Sequence, residues 1–449
     1  MLIRFAVENF MSFKDRQIFS MIAAKHTRHM EHVASICRKR ILKGSFLFGA
    51  NASGKSNFIK AVYYAKQIIF YGLDKADVDR KYFRIESGYA QKPGMFQFDI
   101  FAGDSFYSYG FAFSYMKREI LSEWLYRIVD GNEICIFERE TNEGRSSIKT
   151  EMHLAKDDGY RFRIYGEDLS RSRTFLQDIS EKEIVNTASF KAFHDVWEWF
   201  RSLVVIFPYS HMNVEGMKTY ASDDDFNHIL NSLDTGIRSV IFKNEPISTV
   251  LDNVPPHKRQ LLLNDIERGL KENKGKVSFI IAGKAYLFEL KDDEILASLQ
   301  LIDHGNPSEL FSFSDESDGT RRLFDLLPLA VGLDGNGVIL IDEVDRSFHS
   351  KLLIQYIEMF YKNSRNLNIQ LIATLHDVNL MNFDILRQDE IWFIRRDEQS
   401  GASDMYSLNR FQIRYDKKII KDYLLGRFGA IPCFGQAMEA DDMGETIDE

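Results

Sequence analysis

Three short stretches of this 449-residue chain carry side chains whose types and spacing could handle a phosphate. The first is FGANASGKSN, residues 48–57. Within it Gly49-Ala50-Asn51-Ala52-Ser53-Gly54-Lys55-Ser56 fits G-x-x-x-x-G-K-[ST] in full, and Asn57 follows. Glycines at both ends let the backbone curl so that successive N–H groups point at phosphate oxygens. Lys55 is placed to neutralise β- and γ-oxygens, and the Ser56 hydroxyl to ligate Mg²⁺. The second is VILIDEVD, residues 338–345, four apolar residues followed by Asp342 and Glu343. Clamping a metal and removing a proton from water are different tasks, which suits a pair: Asp342 for Mg²⁺, Glu343 for the attacking water. Asp345, just past the pair, is placed to cross to a partner subunit. The third is IQLIATLHD, residues 369–377, in which His376 is placed to sense a γ-phosphate and to hold Glu343 and water.

A fourth stretch, FSDESDGTRRLFDLLPLA (313–330), sets Ser317, Asp318, Gly319 and Thr320 at a helix start. Such a start is a second phosphate-binding end. Within one chain it would be redundant with 49–56. It makes sense if it reaches the nucleotide of a neighbouring chain, so that ATP is sandwiched between two subunits. The competing reading is an ordinary capped helix.

Positioning these groups requires particular elements. Residues 45–48 read as a short buried strand before the glycine loop. Phe58, Ile59, Val62, Ala65, Ile68 and Ile69 recur at helical spacing after it. A buried strand over 338–341 would deliver Asp342 and Glu343 to its carboxyl end beside that loop. The first 21 residues suggest two strands around a turn. Aromatic and β-branched runs from GMFQFDIFAG to YRFRIYG predict a β-rich stretch. Helical text follows from about 180 to 205, then a polar loop, SHMNVEGMKTYASDDDF. NHILNSLDTGIRSVIF and PPHKRQLLLNDIERGLKENKGK read as helices. Strand signals return at VSFIIAG, AYLFEL and ASLQLID. From there the chain alternates strand and helix, which predicts a largely parallel sheet.

The balance of 57 Lys+Arg against 66 Asp+Glu, a formal net charge of -9, argues against a surface that coats nucleic acid. Local basic runs, CRKRILK, RSR and TRR, read as solvated faces. The length implies two lobes, or one core with a large insertion. No apolar run reaches membrane-spanning length and the start lacks a secretory core, so a cytoplasmic location is expected. Cys37, Cys135 and Cys433 form no CxxC pair and read as reduced. HTRHMEH (26–32) has histidines at i, i+3 and i+6 without the paired spacing of zinc motifs, and reads as a polar connector. The SDDDF run reads as helix-capping acids rather than a divalent-ion site. No nuclease constellation is evident.

The order of these motifs resembles that of ABC-type ATPases, including RecF-like and SMC-like heads. ENFMSFKD, FGANASGKSN, LDTGIRS, ESDGTRRLFDLLP, LIDEVDRSFHSKLL, TLHDVNLM, DEIWFIRR and YLLGRFGAIP together look like single-chain bacterial AAA/ABC-type ATPases of abortive infection and phage defence. That family includes AbiL-like and RloA-like proteins and is related to AriA of the PARIS system. The resemblance implies an α/β P-loop NTPase fold: an ABC-type head with an antiparallel β-lobe and a helical insertion. It implies Walker A at 49–56, Walker B at Asp342 and Glu343, a signature at Ser317–Thr320, a D-loop Asp345 and a switch His376. It also implies ATP and Mg²⁺ as cofactors, and a homodimer or higher homo-oligomer. A separately encoded effector, nuclease or toxin, goes with it, with a phage protein or nucleic acid as trigger and no membrane. The expected segments are 1–178 and 276–435 as the two parts of the head, 179–275 as the helical insertion and 436–449 as a disordered acidic tail. ESDGT departs from the LSGGQ of transporters. The glutamine that couples Mg²⁺ to lobe motion has no clear position, Gln97 reading rather as an outward strand residue. Two other functions fit parts of the pattern: a RecF/SMC-like DNA-binding repair ATPase, and a non-hydrolysing nucleotide-bound scaffold of a toxin–antitoxin pair.

Overall fold

The computed structural model describes residues 1–430 apart from 168, 183–186, 209–213, 222–223, 234, 273–274, 293, 332–334, 412 and 416–418. The acidic tail, Cys433 and parts of the SHMN and SDDDF runs lie outside the described residues. Aromatic and β-branched alternation in the first third produces a seven-stranded antiparallel sheet. Its spatial order is Arg145–Lys149, Asn132–Asn142, Glu119–Val129, Ser105–Ser114, Gly94–Ala102, Leu2–Glu8, Gln17–Ser20. One face of this lobe packs Phe5, Phe96, Phe98 and Tyr109 against Phe58 and Phe200, so it shares a core with the helix after the glycine loop.

The central sheet carries the motifs, and we number its strands in chain order: β1 (Gly44–Phe48), β2 (Val204–Ile206), β3 (Asn336–Ile341), β4 (Asn368–Thr374), β5 (Ile391–Arg396) and β6 (Ser403–Ser407). The order is β2-β3-β4-β1-β5-β6, parallel except for the β5–β6 pair. Helix α1 spans Lys55–Tyr71 and helix α2 spans Asp318–Val331. All five residues of β1 are buried, as expected for a strand covered on both faces.

A third sheet is antiparallel, in the order Ser239–Glu245, Glu294–Asp303, Lys284–Lys291, Lys276–Ile281. It spans the boundary expected at 275/276. It also corrects three readings. Residues 276–303 do not join the parallel sheet. The stretch read as one helix over 227–242 is split: helix Asp224–Ser232, then strand Ser239–Glu245 after a turn at Gly236 (φ 71°). The insertion is therefore not wholly helical. The polar run read as a loop contains the helix Val214–Tyr220. YRFRIYG alternates like a strand but lies in the helix Lys156–Glu167, whose first turn carries Asp157 and Asp158. Leu323, Phe324 and Leu327 of α2 pack on this third sheet through Ala285, Leu287 and Ile302, so α2 is carried by that sheet. No described helix is long and apolar enough to cross a membrane.

Candidate functional site: a phosphate loop at the carboxyl end of the sheet

Register explains why distant motifs meet. Ile206 pairs with Ile341, Ile341 with Ala373, Thr374 with Leu47, and Phe393 with Phe48. The next residue on each parallel strand therefore leaves the sheet at the same end. Gly49, Asp342 and the Leu375–His376 turn emerge side by side there, where parallel α/β sheets bind ligands.

The loop between β1 and α1 is shaped by close contacts. A Cβ at Gly49 would collide with the Ile394 carbonyl. One at Gly54 (φ 111°) would collide with Ser403 Oγ and come within 2.7 Å of Ser12 Oγ. Two serines far apart in sequence strap the loop: Ser403 Oγ donates to Ser53 O (2.6 Å), and Asn57 Nδ2 donates to Ser12 Oγ (2.8 Å). Ser403 N in turn donates to Ser12 O (2.8 Å). The turn holding Ser12 is fixed by Asn9, whose Nδ2 donates to the Tyr89, Lys92 and Pro93 carbonyls. Gly54 begins α1 without a side-chain cap, leaving the first-turn N–H groups turned to the loop. Ser53 Oγ is buried with no hydrogen-bond partner among the described residues. An uncapped helix start offers its free N–H groups to an anion.

Residues 51–57, Glu343, Asp345, Arg346 and His376 line one cavity of about 820 Å³. Lys55 Nζ donates to Gly49 O (2.6 Å) and Ala50 O (3.0 Å), and lies 3.5 Å from His376 Nδ1. Burial pulls the Lys55 ammonium down to about 8, and the facing carboxylates of Asp345, Asp342 and Glu343 oppose that shift. Burial and the Lys55 charge both push the His376 imidazole below its ordinary value. Asp342 is buried, and its Oδ1 accepts from Thr374 Oγ1 (2.6 Å). The same hydroxyl accepts from Glu343 N (2.8 Å), which holds Glu343 in a left-handed conformation (φ 48°). Thr374 thus fixes both carboxylate residues at once.

Asp345 differs from expectation. Its Oδ2 accepts from His376 N and Asp377 N (2.6 Å each), so in this structure it holds its own chain's turn rather than reaching outward. Ser317 and Asp318 are exposed, with Gly319 and Thr320 half-buried, and none of the four lines the 820 Å³ cavity. Ser317 Oγ accepts from Thr320 N (3.1 Å), the helix-capping bond. At Gly319 the backbone runs close to the Ser347 carbonyl, where a Cβ would sit 2.7 Å away.

Sequence reading missed four contributors. Thr374 lay inside a quoted motif, but nothing marked its hydroxyl. Ser12 lay inside the quoted ENFMSFKD and Ser403 in no motif, and nothing marked either hydroxyl, both being strangers in sequence to the loop they strap. Arg322, read within a solvated basic run, is buried: its Nη2 donates to Asp342 O (3.3 Å) and its Nη1 to Phe207 O (3.4 Å). Gln97 donates to Asp99 Oδ1 and Ser108 Oγ on the β-lobe and does not line the cavity. The described part of the YLLGRFGAIP segment, Tyr423–Ala430, packs on the head. Phe428 stacks on Phe393 (5.5 Å), Tyr406 OH donates to Phe428 O, and Gly429 and Ala430 line a second cavity that shares Ala50, Asn51 and Ser53 with the loop.

Three solved structures are similar at 12% identity each. An SMC head bound to the C-terminal winged-helix domain of ScpA covers 90% of this chain and 97% of its own (TM-score 0.41). The SMC head domain from Thermotoga maritima covers 90% and 98% (0.35). A Pyrococcus furiosus-derived Smc head with an extended coiled coil, bound to the C-terminal domain of ScpA, covers 94% and 99% (0.38). No curated protein sequence matches the chain. A family model matches residues 45–382, which span every motif from β1 to His376. With that share of its length inside the match, the chain belongs to the family described as "AAA domain, putative AbiEii toxin, Type IV TA system".

Proposed function

We propose that this chain is an ATPase whose copies close over shared nucleotide, and that it acts as sensor or regulator of a separately encoded effector in anti-phage defence. One observation carries the ATPase reading: a single sheet end gathers Lys55, Asp342, Glu343 and His376, while Ser317 and Asp318 at the start of α2 stand exposed outside the cavity beside it. The loop N–H groups and the start of α1 bind the phosphates, and Lys55 exchanges the Gly49 and Ala50 carbonyls for β- and γ-oxygens. Ser56 and Asp342 offer the oxygen donors that suit a hard cation. Bound there, Mg²⁺ would offset the negative charge of the phosphates. Glu343 accepts a proton from the attacking water. His376 Nδ1 faces the Lys55 ammonium, so the neutral ring carries its proton on Nε2 and presents that N–H as a donor. The exposed start of α2 from a second copy supplies N–H groups to the opposite side of the γ-phosphate. The defence assignment rests on the family description, which names a toxin and a toxin–antitoxin system.

Glu343→Gln tests both halves. Hydrolysis should drop on the order of 10²–10⁴-fold with ATP binding retained, and light scattering should show a larger assembly with ATP. Adding Ser317→Trp should return that assembly to the size seen without ATP while leaving binding intact. Normal turnover by Glu343→Gln refutes the base. An assembly that survives the double substitution refutes the shared site. Stable assembly of the unaltered protein without turnover would make it a scaffold, and ATP-enhanced, salt-sensitive duplex binding would make it a DNA-binding ATPase.

A further inference from the structure

The HTRHMEH connector is resolved by the fold into something other than a polar link. It forms a short turn, Met30–His32, before the strand Val33–Ile36. His26 turns away, its Nε2 lying 2.8 Å from Asn409 Oδ1. His29, Glu31 and His32 instead converge, each offering one ligand atom, all within 4.8 Å of one another. Glu31 Oε1 is 3.5 Å from His29 Nδ1 and 3.9 Å from His32 Nε2. Bonds of about 2.0–2.2 Å in a tetrahedron put ligand atoms roughly 3.3–3.6 Å apart, so side-chain rotations must draw the three together to close on one ion.

The protons are already arranged for this. His29 Nε2 is 2.9 Å from the Phe383 carbonyl, which can only accept. His32 Nδ1 is 3.1 Å from each oxygen of the buried Glu390 carboxylate. In the neutral rings both outer nitrogens therefore carry hydrogen, and the two lone pairs, on His29 Nδ1 and His32 Nε2, face Glu31. Imidazole anchored behind by a carboxylate or carbonyl is the usual support of a metal-ligating histidine. The support is rigid. Glu390 also accepts from Tyr361 OH (2.8 Å) and Arg387 N (2.8 Å), and the His32 ring stacks on Tyr361 at 3.4 Å. His29 adopts a left-handed conformation (φ 47°, ψ 56°), an uncommon state that brings its ring to 4.9 Å from that of His32.

We propose that His29 Nδ1, the Glu31 carboxylate and His32 Nε2 bind one Zn²⁺, with water as fourth ligand. Two imidazoles and one carboxylate favour zinc over the hard cations of the phosphate site. The fourth position opens on a cavity of about 500 Å³, which Glu358, Asp384, Lys362 and Arg365 also line. The rings that would hold the ion are tied to the segment 383–390, after the His376 turn, by the hydrogen bonds to Phe383 and Glu390. The site stands independently of the nucleotide reading.

The test uses the full chain, stripped with a chelator and titrated with Zn²⁺ against a chromophoric competitor, with metal content measured after desalting. One equivalent should bind and raise the thermal midpoint. His29→Ala, at a half-buried position, and Glu31→Ala, at an exposed one, should each weaken binding about 100-fold and abolish the thermal shift, with unchanged circular dichroism. Cys37→Ser, at an exposed thiol outside the cluster, should bind as the unaltered protein does. Failure to retain one equivalent, binding that survives both cluster substitutions, or binding lost in Cys37→Ser would each overturn the proposal.

Discussion

Thr374→Val removes one hydroxyl and keeps the shape, which isolates the clamp beneath the two acidic residues. Thr374 Oγ1 donates to the buried Asp342 carboxylate at 2.6 Å and accepts from Glu343 N at 2.8 Å. A hydrogen bond to a charged group contributes about 1.5–3 kcal/mol, and leaving a backbone N–H without a partner costs about 1–3 kcal/mol. Relaxation recovers part of this, so a net loss of about 3 kcal/mol is expected, a factor on the order of 10² in the folding equilibrium. The left-handed Glu343 loses one of its restraints, so its carboxylate loses its fixed aim. Turnover should fall about 10–100-fold while the affinity for nucleotide, set by the loop and Lys55, changes little. Urea unfolding and a steady-state phosphate-release assay measure the two effects. Thr374→Ser restores the hydroxyl and should recover both. A valine variant with unaltered stability and turnover would refute the clamp, and so would a serine variant as impaired as valine.

Lys55 gives a pH dependence with opposite signs for binding and folding. Its ammonium, pulled to about 8 by burial, loses its proton above that pH in the nucleotide-free protein. Nucleotide affinity should therefore fall by up to about tenfold per unit between pH 8 and 9.5, and a flat profile by calorimetry would contradict it. In the unfolded chain a lysine titrates near 10.4, so between the two values the unfolded state binds more protons. Over that window Lys55 contributes stability that rises with pH. Arg322→Ala should lower stability by about 2–4 kcal/mol, because the Asp342 and Phe207 carbonyls lose a charged donor and a buried volume is left. A change of only about 0.5 kcal/mol in denaturant titrations would return Arg322 to the solvated face that its basic neighbours suggest.

Legibility followed the range of the interactions. The glycine loop, its helix and the Asp342–Glu343 strand end are local patterns, and the structure sets them together at one sheet end. The β-lobe was legible because its strands alternate and follow one another as meanders. The misreadings share a cause. Tyr160–Tyr165 alternates like a strand, yet acids at the helix start and a single buried anchor, Phe162, make it a helix. Val204–Ile206 was absorbed into the preceding helical text because three residues carry no period, and only pairing with β3 makes them a strand. Arg322 looked solvated because charge predicts exposure, while its partners are carbonyls on two other elements. Two of three histidines in one connector converge because Phe383 and Glu390, more than 350 residues away, orient them.

The position of β1 has a consequence for how the chain is made. Its neighbours β4 and β5 lie about 330–350 residues further along, since Gly44 pairs with Leu371 and Phe46 with Ile391. At about 5–20 residues per second on the ribosome, that fully buried strand waits roughly 15–70 s for either partner. The meander lobe, whose pairings are mostly local, can form meanwhile and cover one side of α1. Fragments ending before residue 368 should thus be folded in part, sticky along an unpaired edge and dependent on chaperones.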